Sequence, residues 1–97
     1  MRMFNPPHPG GIIKEALEAI PMTVSEFAAH IGVSRVALSR VINERAGITP
    51  EMSMKLSEAF GQGQRDIWFR MQNTHDFWRA SQARRKKVRP VKVRKAA

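Results

Sequence analysis

Cysteine is absent from this chain of 97 residues, which excludes a disulfide framework and any thiolate metal site and leaves the redox compartment open. No run of about 18 apolar residues occurs, so no membrane span is expected. The opening stretch, MRMFNPPHPGG, lacks the apolar core of a secretory signal, and a cytoplasmic location is the default expectation. His8, His30 and His75 are scattered, without the short paired spacing or the carboxylate cluster of a zinc site. They are expected on the surface. A nucleophile–base pair, a phosphate loop and paired carboxylates are missing as well. We therefore expect no catalytic residue, no metal, no cofactor and no small-molecule substrate, and no enzymatic activity.

Acids are missing from one whole end of the chain. Seventeen lysines and arginines against eight acids give a net charge of +9. Up to Trp78 the basic groups are Arg2, Lys14, Arg35, Arg40, Arg45, Lys55, Arg65 and Arg70. They are matched by Glu15, Glu18, Glu26, Glu44, Glu51, Glu58, Asp66 and Asp76. The surplus lies entirely in RASQARRKKVRPVKVRKAA, from Arg79 onward. The pattern is a neutral domain with a cationic, disordered tail.

What remains is one small domain's worth of apolar side chains, 42% of the sequence. Residues 1–11 read as an N-terminal arm, 12–80 as a helical domain and 81–97 as the basic tail. In IIKEALEAI, residues Ile12, Ile13, Ala16, Leu17 and Ile20 share a helical face, and Pro21 stops the helix. Thr23 with Glu26 forms a capping box for a second helix, whose inner face is Phe27, Ala28 and Ile31 and whose end is Gly32. Ser34 caps a third helix running to Asn43 or Glu44. Thr49, Pro50 and Glu51 open a fourth, with Met52, Leu56, Ala59 and Phe60 inward and Gly61 at its end. A fifth begins near Gln64 and carries Ile67, Trp68, Met71, Phe77 and Trp78. No strand pattern or repeat is visible; the fold class is all-α, with five helices.

The second and third helices, short and joined through a glycine turn, match the helix-turn-helix unit. Leu38, Val41 and Ile42 account for the packing of the third helix. Its other side is Arg35, Val36, Ser39, Arg40 and Asn43, a stripe suited to a major groove. Arginines grip guanine edges bidentately and a valine meets a thymine methyl, while a serine donates to base or phosphate. Ser34 places helix N–H groups near a phosphate. Asn43 and Arg45 sit where the sugar-phosphate chain would run.

PMTVSEFAAHIGVSRVALSRVINERAGITPEMSMKLSEAFG resembles the lambda-repressor-like (Xre-type) helix-turn-helix family. HPGG, AGITPEM and IWFRMQNTHDFW narrow the resemblance to HigA-type antitoxins, over residues 8 to 80. The resemblance implies a five-helix homodimer that binds a palindromic operator in double-stranded DNA and represses its own toxin–antitoxin operon. It also implies a cognate RelE-like ribonuclease toxin. Carried over by position, Ser34, Arg35, Val36, Ser39 and Arg40 read bases, while Thr23 and Asn43 touch the backbone. Ile67, Trp68, Met71, Phe77 and Trp78 would form the dimer surface, although Trp68 reads better as core. The chain departs from the family pattern at Glu44, where many relatives have glycine, and at Gly11, where many have an acid. A late or frayed first helix and an altered loop after the third would follow. Two other functions remain open: a solitary transcriptional regulator without a toxin, and a nonspecific nucleic-acid binder acting through its tail.

Overall fold

The structure, a computed structural model, describes residues 5–93. Five helices follow one another: α1 (Pro9–Ala19), α2 (Val24–Ile31), α3 (Arg35–Ile42), α4 (Pro50–Ala59) and α5 (Ile67–Gln82). Among the described residues there is no strand, and no helix is long and apolar enough to cross a membrane.

Local chemistry sets most of the helix ends. The Thr23 hydroxyl accepts from the Glu26 N–H at 3.1 Å, and the Glu26 carboxylate accepts from the Thr23 N–H at 2.9 Å, completing the capping box. Ser34 and Thr49 accept from the N–H groups of Ala37 and Met52. Asp66 gives α5 no side-chain cap and pairs with Arg70 instead. Three helices end in the same left-handed turn, closed by paired backbone bonds. Gly32 (φ 76°) ends α2 and Gly61 (φ 67°) ends α4, where glycine removes the Cβ penalty. Glu44 (φ 60°) occupies the same place after α3. There the Arg45 N–H donates to the Arg40 carbonyl and the Glu44 N–H to the Val41 carbonyl, the two bonds of a Schellman motif.

The core draws on every helix: Ile13 and Leu17, then Phe27, Ala28 and Ile31, then Leu38, Val41 and Ile42, with Ile48, Met52, Leu56 and Trp68. Phe60 lies between Phe27 and Trp68, with ring centroids 5.3 and 5.6 Å away. The Trp68 ring is buried, and its Nε1–H donates to Gln62 Oε1 at 2.7 Å. Two buried serines hold the α4–α5 connection. Ser57 donates to a backbone carbonyl of that loop, while Ser53 donates to the Arg65 carbonyl and accepts from the Phe69 N–H.

Three sequence expectations are corrected here. First, α1 begins at Pro9, so the arm is shorter than residues 1–11; its residues 1–4 lie outside the described ones. The acceptor is His8, whose Nδ1 takes the Gly10 N–H at 2.9 Å and caps the helix. Gly11 does not delay the start. Second, Ile20 is 48% exposed and takes no place on the inner face of α1. Third, only His30 is exposed, while His8 and His75 are buried. Their rings meet edge-on at 5.0 Å, and the His75 Nδ1–H donates to the Pro6 carbonyl at 2.9 Å. Gln72 completes the cluster. Its Oε1 accepts from the Ile48 N–H, its Nε2 donates to Asp76, and the amide touches the His8 ring.

The cap works only while His8 Nδ1 keeps its lone pair. Burial lowers the His8 pKa below 6.5 and His75 and Arg79 act in the same direction, with Glu44 and Asp76 opposing. In the window between the unfolded value and the lowered folded one, the unfolded chain binds the proton and the folded chain does not. Stability contributed by the neutral ring is therefore complete above about pH 6.5 and declines as pH falls below it. Melting temperature should drop from pH 7.5 to pH 5. His8→Asn, which keeps an acceptor at the cap, should flatten that dependence in a thermal-denaturation series. An unchanged slope would assign the acid sensitivity to other groups.

Candidate nucleic-acid interface

Helix α3 is held by one side. Leu38, Val41 and Ile42 are buried against α1 and α2, which leaves the positions between them outside. Ser34, Arg35, Val36, Arg40 and Asn43 are exposed and Ser39 is half-exposed. These residues form a continuous surface stripe. Val36, at 66% exposure, stands in it as an isolated apolar group. The Ser39 hydroxyl accepts from Asn43 Nδ2 at 3.2 Å, which orders the far end of the stripe and leaves the Ser39 O–H free to donate outward. Thr23 and Ser34 are exposed at the N-caps of α2 and α3. Each hydroxyl accepts one bond in capping, which leaves its hydrogen free to donate to a partner. Arg45 is exposed just past the turn that ends α3.

That turn is braced from the other side. A Cβ added to Gly10 would lie 2.2 Å from the Val41 carbonyl oxygen and 3.0 Å from that of Ile42. Only glycine lets the start of α1 come this close to the end of α3. Because His8 caps α1 and Pro6 is bonded to His75, the α3 terminus is linked through the N-terminal segment to α5. Sequence reasoning missed His8, Gln72 and His75. Their partners are remote in the chain, and the HPGG string was the one available signal.

The flank of the stripe is acidic. Lys14, Glu15, Glu18, Asn43 and Glu44 line a shallow polar hollow between α1 and the end of α3. In the loop that follows, Glu44 takes the left-handed conformation (φ 60°) that a glycine would adopt at no steric cost.

The residues proposed on α5 are not brought together as one patch. Trp68 is core, which removes it from the dimer surface, and Ile67 and Met71 pack half-buried against that core. Phe77 is 77% exposed. Trp78 is half-buried, and its Nε1 has no partner among the described residues. A separate apolar hollow lies between α4 and α5, lined by Pro50, Met54 and Phe69. Among the described residues, no group of three or more His, Asp or Glu side chains could hold a metal ion.

This arrangement, a glycine-turn helix pair with its outer helix half bare, has counterparts among known proteins. The helix-turn-helix family model HTH_3 matches residues 13–63. The chain belongs to that Xre-like family. It is 39% identical over 88 residues to virulence-associated protein A′ of Dichelobacter nodosus, covering 91% of this chain and 76% of the relative. A Nostoc punctiforme protein described as a candidate antidote of a plasmid maintenance system superposes with a TM-score of 0.76 at 32% identity. That match covers 81% of this chain and 86% of the other. The Pseudomonas aeruginosa antitoxin HigA, solved with the higBA promoter, gives 0.72 at 25% identity over 77% and 82% of the two chains. This helix-turn-helix protein thus has an antitoxin-like fold.

Replacing Glu44 by glycine should relieve left-handed strain and remove a negative charge from the negative end of α3. We expect Glu44→Gly to stabilise the fold by about 1 kcal/mol, after allowance for the greater freedom of the unfolded glycine chain. Urea denaturation at constant pH measures it, and a loss of stability would show that the Glu44 side chain contributes more than its backbone costs.

Proposed function

We propose that the protein is a sequence-specific DNA-binding antitoxin. Two copies would bind a palindromic operator, repress their own toxin–antitoxin operon and neutralise a RelE-like ribonuclease toxin. The observation that carries the DNA reading is the α3 stripe. Its inner side is fully committed to the core, while Arg35, Val36, Ser39 and Arg40 are left at major-groove spacing. In this reading the arginines bond guanine edges, Val36 packs on a thymine methyl and Ser39 donates to base or phosphate. Ser34 directs the N-terminus of α3 toward a phosphate, and Thr23, Asn43 and Arg45 hold the backbone that fixes the register.

Similarity to antitoxin folds, one of them solved with promoter DNA, supports the operon role. Operator half-sites one turn apart require a dimer. The exposed Phe77 and the half-buried Trp78 next to it in sequence offer aromatic surface for it.

Arg40→Ala should weaken operator binding by about 1–3 kcal/mol and relax preference at one base pair, as read by fluorescence anisotropy on a set of single-substitution duplexes. If Arg35→Ala and Arg40→Ala together leave operator preference intact, the recognition-helix assignment falls.

The toxin half has its own test. Co-expression with the product of the neighbouring gene should yield a co-purifying complex and restore growth arrested by that product alone. Failure of both, with operator binding intact, selects the solitary regulator.

A further inference from the structure

We propose that the cationic run from Arg84 to Lys92 lies in a groove of duplex DNA flanking the segment read by α3, and supplies most of the chain's phosphate-neutralising charge. This rests on the DNA-binding reading above and adds a second contact surface to it.

Up to Trp78 the charges of the helical body cancel. Lys55, Arg65 and Arg70 lie within 3.6, 3.2 and 3.1 Å of Glu51, Glu58 and Asp66. On the groove side, exposed Arg35, Arg40 and Arg45 are offset by Glu44 in the same turn and by Glu15 and Glu18 beside it. Beyond a Debye length of about 8 Å such a surface is close to neutral. Affinity for duplex DNA grows with the number of phosphates neutralised. A body of this kind can read bases but has little with which to hold the backbone.

The segment after Gln82 has what the body lacks. Arg84, Arg85, Lys86, Lys87, Arg89 and Lys92 are exposed on non-helical chain. Among the described residues, none of them has an acidic partner. Val88, Val91 and Val93 are 77%, 88% and 92% exposed, so the segment is not anchored on the body. The radius of gyration, 17.9 Å, exceeds the roughly 13 Å of a compact chain of this length. Extended backbone alternates its side chains. In that conformation Arg84, Lys86 and Lys92 would fall on one side, and Arg85, Lys87 and Arg89 on the other. Cations on both sides suit a groove walled by two phosphate rows better than a single acidic patch. Arg84 to Val93 spans about 33 Å when extended, close to one turn of duplex.

The test uses the full-length chain with Arg84, Arg85, Lys86, Lys87, Arg89 and Lys92 replaced by glutamine. Binding is measured across a KCl series to a 50-base-pair duplex (about 50, to leave flanks around a site of one to two turns) from the gene's own promoter. A scrambled duplex and a single-stranded RNA of equal length complete the set. We expect the glutamine chain to lose affinity equally on both duplexes, with the logarithmic salt slope shallower by roughly 5, about 0.9 for each lost contact. Circular dichroism should be unchanged, since the substitutions lie outside the helices. A slope within one unit of the parent's overturns the proposal, and so does a larger loss on RNA than on duplex. The Arg35→Ala/Arg40→Ala chain in the same assay should lose promoter preference instead. If it keeps that preference while the glutamine chain behaves as expected, base reading by α3 fails and the tail contact stands.

Discussion

Burial of the Leu38–Val41–Ile42 side of α3 is the interaction on which the rest of the molecule depends. A helix of eight residues has little stability of its own in water, so it exists because that side is covered by α1 and α2. The covering determines its orientation as well. Once three apolar side chains at helical spacing are turned inward, the residues between them have no direction left but outward. The chemistry of the exposed stripe and the packing of the core are two results of one rotation about the α3 axis.

Much of this was legible in the sequence because it is local. Thr23 with Glu26, Ser34 with Ala37 and Thr49 with Met52 involve residues three apart, and the glycines after α2 and α4 punctuate within a single turn. Apolar spacing likewise identified the inner faces of α2, α3 and α4. The reading broke down where partners are distant. Gln72 is bonded to Ile48 across 24 positions and His75 to Pro6 across 69, and no periodicity announces either pair. The same blindness put Ile20 inside, because helical spacing shows which residues share a face but not where the neighbouring helices end. Ser53 and Ser57 were passed over for a related reason: a buried hydroxyl is acceptable only when a loop returns its carbonyls to it.

Charge is partitioned as sharply as polarity. The helical body balances its ion pairs, and its least favourable group, Glu44, lies at the end of the helix that would meet phosphate. That residue combines a left-handed backbone with an anion at a negative helix end. The turn forms nonetheless, since its two backbone bonds and the close seat of Gly10 determine the conformation from both sides. Tertiary constraint outweighs residue preference here, at a cost that stays local.

The strap from Pro6 to Gly10 has a consequence for how the molecule comes apart. It stitches the first helix to the middle of the last, so neither helix can detach there without loosening the buried seam that supports the middle of the chain. Opening should therefore propagate through the entire bundle as one cooperative unit, with no stable half-structure in which the helix pair survives once the last helix has detached.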